Sequence, residues 1–419
     1  LRNKRRQVRY MMKDRILFEE VRKIIPWSTQ TNAKRPKQFM GETMPLFIDR
    51  AKGIKMWDSE GRQYDDYFCA CGPIILGYAY DKVNDAAKKA IDDGIIFSMA
   101  STIEYKLAQK FIQLIPSLQW VRFLKTGNDV TSAAVRIARA YKGKEKILQY
   151  GYHGWSDWYQ SATGMRKQQG VPDFNRECSV TFKYNDIDEL EKTIKADDNI
   201  AGIILTPYDW KNEPSKDYFA KLRELCTNYD IPLIFDEILS GFRMGLGGAQ
   251  AEFGVEADIV CYAKAISNGF PLSVIGGKKK FGDIWDNDKT MITTTYAGEI
   301  VSIAAAIATL DELVEKDVFT HIGSVGKVLH NGIQKIIEKT QLPLYFTGRA
   351  GLTRLFAKTG DVQKDYDIQC KISRYYMSQG FFVREHGGVS YYLNYSHKQD
   401  DIERLLNVTE AAFLSGFEK

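Results

Sequence analysis

Between about residues 120 and 280 the chain alternates short, continuously apolar runs with stretches of helical periodicity. "VRFL" (121–124) precedes the Ala-rich, amphipathic "DVTSAAVRIARAYKG", which closes on Gly143 as a helix C-cap would. "KILQY" (146–150), "AGIILTP" (201–207), a helical pattern around 216–229, "IPLIFDEI" (231–238), "ADIVCY" (257–262) and "LSVIGG" (272–277) follow. Strands that are apolar on both faces and separated by helices form a mostly parallel sheet with helices on both sides. That pattern makes the class α/β. It also says where a ligand goes, because such sheets bind beyond the carboxyl ends of their strands.

The flanks read differently. "IKMWDSEGRQYDDYF" (54–68) gives two strands around a Ser-Glu-Gly turn. After about residue 310 a long helix, then "LTRLFA", "FFVRE" and "VSYYLNY", predict a small α+β lobe closed by the amphipathic "DDIERLLNVTEAAFLSGF". The expected division is 1–75 as an N-terminal segment serving the small lobe and a dimer, 76–310 as the large domain, and 311–419 as the small C-terminal domain. No Pro-rich linker or repeat separates them.

With 58 basic and 53 acidic residues the net charge is only +5, which does not suggest a nucleic-acid binder. The basic opening "LRNKRRQVRYMMKDR" is a local exception and reads as a solvated terminus. No stretch approaches the length of an apolar membrane span. Cys69, Cys71, Cys178, Cys226, Cys261 and Cys370 show no zinc spacing, so no metal is expected, and they read as reduced thiols of a cytoplasmic protein.

Four features fall at strand ends. "KTGND" (125–129) stands between a strand and a helix N-terminus, where the amides of Gly127 and Asn128 either cap an ordinary helix or hold an anion such as phosphate. "GYHGW" (151–155) offers an aromatic that closes the core or stacks on a planar ring. Asp236 and Glu237 end the run "IPLIF", and a buried acid there needs a partner: Arg243, or a cationic ligand atom. Lys264 follows "ADIVCY" and either snorkels or, desolvated, serves as a nucleophilic amine. Together they match what pyridoxal phosphate requires: an amine for its aldehyde, an acid for its ring nitrogen, an aromatic cover and a phosphate cradle.

The ordered stretches "MWDSEGRQYDDY", "GPIILGYAYDKVN", "VRFLKTGNDVTSAAVRIARAYKGKEKI", "YHGW", "FDEILSGFRMGLGGAQAEFGVEADIV", "AKAISNGFPLSVIGGK" and "TYAG" resemble the class III, fold type I pyridoxal-phosphate aminotransferases, above all members like glutamate-1-semialdehyde aminomutase. The resemblance spans roughly residues 16–415. It implies a large domain with a mostly parallel sheet and a smaller α+β domain. It implies Lys264 as the Schiff-base lysine, Asp236 as partner of the pyridine nitrogen, Tyr152 stacked on the ring, Ile238 on the ring's other face, and Gly127 and Asn128 at the phosphate. Thr295 matches the threonine that reaches the neighbouring subunit's phosphate, hence a homodimer.

Departures from the family pattern bear on substrate. Thr126-Gly127-Asn128-Asp129-Val130 replaces the usual Ser-Gly-Thr-Glu-Ala, Glu299-Ile300 replaces Asn-Pro, and Thr206 stands where a glutamate is usual. The aminomutase's carboxylate-binding arginine is matched only by Lys34, Arg35 or Lys37. Trp155, Trp158, Tyr208 and Trp210 are expected at the entrance. The expected function is transamination from an amino donor to a ketone or aldehyde. An intramolecular amino shift, epimerisation, and a non-catalytic binding or regulatory domain are the alternatives.

Overall fold

The computed structural model describes residues 14–36, 44–160, 169–286, 290–349 and 351–417. The basic opening up to residue 13 and the candidate Lys37 lie outside them. Contacts divide the chain into two units, Asp81–Lys316 and the remainder on either side of it.

The first unit begins with α1, helical from residue 14 to 24, then the antiparallel meander β1 (Ile48–Lys52), β2 (Lys55–Asp58) and β3 (Gln63–Asp66). The Ser-Glu-Gly turn is held by the Asp58 carboxylate, which accepts from the amides of Glu60 (3.1 Å) and Arg62 (2.7 Å). Beyond β3, Cys69, Ala70, Cys71 and Gly72 lie in succession in the left-handed region, with φ of 47, 54, 75 and 105°. Asp66 pins the start of this loop, accepting from the Phe68 amide (2.8 Å) and the Tyr78 hydroxyl (2.7 Å).

The second unit runs α2 (Asp81–Asp93), α3 (Thr102–Leu114), β4 (Trp120–Leu124), α4 (Gly127–Lys142), β5 (Lys146–Tyr150), α5 (Asp157–Gln160), α6 (Asp173–Glu177), β6 (Ser179–Thr181), α7 (Ile187–Ala196), β7 (Ile200–Leu205), α8 (Tyr218–Asn228), β8 (Leu233–Asp236), α9 (Gly248–Phe253), β9 (Ile259–Tyr262), β10 (Ser273–Gly277), α10 (Lys279–Asp286) and α11 (Ile300–Glu315). Its sheet has the order β4-β10-β9-β8-β7-β5-β6. β9, β8, β7, β5 and β6 pair in parallel, and every residue of β7, β8 and β9 is buried, as their unbroken apolar sequences require. β10 runs antiparallel to both β4 and β9. The helix α4 packs its small face on this sheet; at Gly202 a Cβ would come within 3.1 Å of the Ala138 methyl. Its start is a capping box, with Thr126 and Asp129 exchanging bonds of 3.2 and 2.8 Å, and Gly143 ends it at φ 63°.

The first unit resumes with α12 (Val318–Thr340), β11 (Leu344–Arg349), β12 (Leu352–Ala357), α13 (Val362–Ser378), β13 (Phe381–Phe382), β14 (Arg384–Glu385), β15 (Val389–Tyr392) and α14 (Gln399–Leu414). "FFVRE" is not one strand. β13 extends the first meander beside β3, and β14 joins the sheet β11-β12-β15-β14, so the chain changes sheets at Val383. No described helix is long and apolar enough to cross a membrane.

Candidate active site

The parallel pairing of β8 with β9 sets Asp236 opposite Cys261, so Lys264 follows three residues beyond the point facing the acid. Both residues leave the carboxyl edge of adjacent central strands. Lys264 is half-buried, and it starts the short 3-10 turn Lys264–Ser267 with φ 51°. A non-glycine residue in this region is strained, and such strain collects where geometry serves function. The Ser-Asn-Gly segment absorbs the reversal: Asn268 (φ 47°) and Gly269 (φ 104°) are left-handed, and the Ser267 hydroxyl bonds the Phe270 carbonyl at 2.6 Å.

Asp236 is 4% exposed. Its Oδ1 accepts from the Ile238 amide (3.1 Å), and its Oδ2 lies 2.8 Å from Nδ1 of buried His153. The other ring nitrogen of His153 faces the Tyr150 carbonyl at 3.0 Å. A carbonyl only accepts, so Nε2 carries hydrogen. The bond between Nδ1 and the carboxyl then requires one further proton, on the ring or on the acid. Histidine and aspartate thus form one proton-sharing pair, and the carboxyl keeps lone pairs for a third partner. Glu237, one residue on, faces the other side of the strand. It accepts from Ser240 Oγ (2.6 Å), the Ala249 amide (2.9 Å) and the Gln250 amide (3.0 Å), and burial pushes it up to about 7. Glu237 is structural: its side chain fastens the start of α9 to the turn after β8.

The start of α4 grips the loop after β5. Oδ1 of Asn128 accepts from the amides of Trp155 (2.9 Å) and Ser156 (3.0 Å) and from Ser156 Oγ (2.9 Å). Thr131 adds a bond to the His153 carbonyl at 2.8 Å. Gly154 (φ 112°) is obligatory here, since a Cβ would lie 2.3 Å from Asn128 Oδ1. Gly127 is obligatory for a different reason: a Cβ would meet Ile238 Cδ1 at 2.7 Å. The predicted cradle and the predicted ring-packing residue are therefore neighbours. Among the described residues nothing accepts from the amides of Gly127 and Asn128, the first two of a 16-residue helix.

Tyr152 is 65% exposed, its ring edge-on to Tyr159 at 5.7 Å. Desolvation and then the Asp236 charge push its phenol up, which puts the ring within the field of that carboxylate. A half-buried amine, an acid with spare lone pairs, an uncovered aromatic, and two helix amides without acceptors suit pyridoxal phosphate at each of its functional groups.

Other candidates lie elsewhere. Thr295 is exposed in the turn before α11, and Glu299 caps that helix by accepting from the amides of Val301 (2.8 Å) and Ser302 (3.1 Å). Glu299 also pairs with Lys125 at 2.6 Å, tying the turn to the segment before Gly127. Trp155 is 74% exposed, but Trp158 is a correction: at 7% exposure it lies in the core, stacked on His153 at 6.0 Å and bonded to Ser132. Tyr208 is likewise buried. Thr206, in place of the expected glutamate, packs against Gly151, whose Cβ would fall 2.0 Å from its hydroxyl. Lys34 and Arg35 are exposed in the first unit, where the Arg35 guanidinium sits 5.5 Å over the Trp27 ring. His153 was visible in the sequence only as a histidine between glycines. The one available signal was that a histidine at a strand end must satisfy two ring nitrogens.

The sequence matches the family Aminotransferase class-III over residues 38–412. It is 34% identical over 395 residues to 3-aminobutyryl-CoA aminotransferase of Cloacimonas acidaminovorans, covering 92% of this chain and 93% of that one. It is 30% identical to glutamate-1-semialdehyde 2,1-aminomutase of Persephonella marina, covering 95% and 97%. Among solved structures, the PLP internal aldimine form of Sphingopyxis sp. MTA144 FumI protein superposes with a TM-score of 0.88 at 27% identity, over 96% of each chain.

Proposed function

The chain belongs to the class III aminotransferases, fold type I pyridoxal-phosphate enzymes acting on an amino donor and a keto acceptor, and from that premise we propose that Lys264 holds the cofactor and moves the proton of the transfer. The observation that carries this is the pairing of β8 with β9, which brings Asp236 and Lys264 to one edge of the sheet. Bound pyridoxal phosphate supplies an aldehyde that condenses with amines and a ring that withdraws electrons from the bond being broken. Lys264 binds that aldehyde through its Nζ. With the cofactor bound, the Lys264 Nζ would also be the amine placed to act as base, accepting and returning the proton moved in the transfer. Asp236 keeps the ring nitrogen protonated, and His153 fixes which carboxyl oxygen remains for it. Tyr152 and Ile238 cover the two faces, and the amides of Gly127 and Asn128 take the phosphate.

The exposed Thr295 supports a homodimer in which this residue reaches the partner's phosphate. The two units serve as large and small domains of a cytoplasmic enzyme. Transfer between two molecules is favoured over an intramolecular shift, because the aminomutase's carboxylate-binding arginine is matched here only by Lys34, Arg35 or Lys37. Similarity to a 3-aminobutyryl-CoA aminotransferase makes β-amino acyl donors the first to try after L-glutamate. The test is the visible spectrum with pyridoxal phosphate before and after donor. A yellow band that bleaches supports transfer, and no band at all overturns the role of Lys264.

A further inference from the structure

Three segments of the site in the second unit meet at one amine. Leu124 pairs with Ser273 across the antiparallel strands β4 and β10, so the residues just beyond, Lys125 and Pro271, emerge at the same end. The Lys125 Nζ donates to the Pro271 carbonyl at 3.2 Å and to Glu299 Oε1 at 2.6 Å. Next in sequence to Lys125 come the Thr126 cap and the amides of Gly127 and Asn128. Pro271 follows the turn that starts at Lys264, and α11, which Glu299 caps, packs against that turn. Thr295 lies just before Glu299, in a turn closed by bonds from the Ala297 amide to the Thr294 carbonyl and from the Glu299 amide to the Tyr296 carbonyl, both 3.2 Å. The ion pair is deep: the side chains of Lys125 and Glu299 are 15% and 11% exposed. Charges desolvated to this degree are little screened by salt and are costly to separate. The carboxylate is held from its other side too, Oε2 accepting from the amides of Val301 (2.8 Å) and Ser302 (3.1 Å). Lys125 is thus anchored to a fixed acceptor. The asparagine usual in the family at this position has no charge to offer it, so the pair depends on the departure at Glu299.

We propose that Lys125 and Glu299 are a positioning pair for the cofactor phosphate. Their bond sets the spacing between the amides of Gly127 and Asn128, the Lys264 turn and the turn that carries Thr295. The aldehyde and the phosphate of pyridoxal phosphate sit on one rigid ring, so the amine and the cradle must match that spacing together. Neither side chain touches the cofactor in this role; each acts through the backbone it holds. The proposal rests on Lys264 as the amine and on Gly127 and Asn128 as the phosphate cradle.

The test titrates the full-length chain, freed of cofactor, with pyridoxal phosphate and separately with pyridoxal, which lacks the phosphate, reading the yellow band. The ratio of the two dissociation constants is the advantage the phosphate confers. Lys125→Met and Glu299→Gln should each cut that advantage about tenfold while pyridoxal alone binds within about threefold of wild type. Because the two residues act as one unit, the double variant should lose no more than the larger single loss. The double variant leaves no unpaired buried charge, so it decides the matter should a single variant not fold. An unchanged advantage in the double variant overturns the proposal, as does equal weakening of both ligands, which would make the pair a matter of general stability. A larger advantage in Glu299→Gln also overturns it, since a freed Lys125 would then be attracting the phosphate directly. Absence of the yellow band in wild type is a different failure: it refutes Lys264 as the amine and takes this proposal with it.

Discussion

Replacing Asn128 by aspartate separates the two tasks this residue holds. The carboxylate retains an oxygen for the amides of Trp155 and Ser156 and for Ser156 Oγ, so the grip on the 151–156 loop survives. Its charge stands at the second position of a 16-residue helix, where the dipole contributes about 0.3–1 kcal/mol in its favour. The apoprotein should therefore melt no lower than wild type. A bound phosphate meets that same charge: at roughly 6 Å, two charges on the phosphate and an effective dielectric of ~40 give a repulsion of about 3 kcal/mol. That corresponds to about a 100-fold loss of affinity for pyridoxal phosphate. Titrating apoprotein with the cofactor by absorbance, in parallel with a thermal melt, reads both quantities. Added salt should recover part of the loss. Asn128→Ala should show the reverse, a loss of about 1–3 kcal/mol of stability from three donors left without an acceptor. If Asn128→Asp binds the cofactor within threefold of wild type, the phosphate does not sit on these amides and the cradle assignment fails.

Other outcomes follow from the same contacts. Lys264→Ala should lose turnover and the yellow covalent band while still binding the cofactor reversibly, and a variant that keeps turnover removes Lys264 from the chemistry. His153→Leu should leave cofactor content near normal but cut kcat at least tenfold, with a shifted pH profile of the cofactor band; an unchanged profile would make His153 mere packing. Gly127→Ala, with its Cβ 2.7 Å from Ile238 Cδ1, should cost about 1–3 kcal/mol, partly recovered by Ile238→Ala; no recovery would place the strain elsewhere. Glu237, raised to about 7, keeps its proton in the folded protein between about pH 4.5 and 7, where the unfolded chain has lost it. Its contribution to stability is therefore full below pH 4.5 and is lost as pH rises to 7, by about 3 kcal/mol. Comparing wild type with Glu237→Gln across pH 5–8 isolates that slope, and identical slopes would contradict it.

Much of the fold could be read because burial on two faces leaves an unmistakable apolar signature. "AGIILTP", "IPLIFDEI" and "ADIVCY" became β7, β8 and β9, and the Ala-rich stretch up to Gly143 became α4. Direction was not legible. "LSVIGG" is as apolar as its neighbours, yet runs antiparallel to both, and composition carries no sign for that. Nor did "FFVRE" show that it divides between two sheets at Val383, because each half is only two residues long. Within the site, adjacent Asp236 and Glu237 looked equivalent. Alternation along a strand sends them to opposite faces, one to histidine and one to a helix start. Trp158 looked like an entrance residue because an aromatic in a polar loop does not announce which side of the loop faces inward.

The left-handed backbone at Lys264 has a consequence for how such proteins diverge. A lysine held at φ 51° costs about 1–2 kcal/mol relative to a glycine, a strain that replacement by glycine would relieve and that most other side chains would keep. A lineage released from selection on amino transfer should therefore exchange this lysine for glycine more readily than for a branched residue. Such descendants should carry the sheet and the loops intact around an empty chemical role.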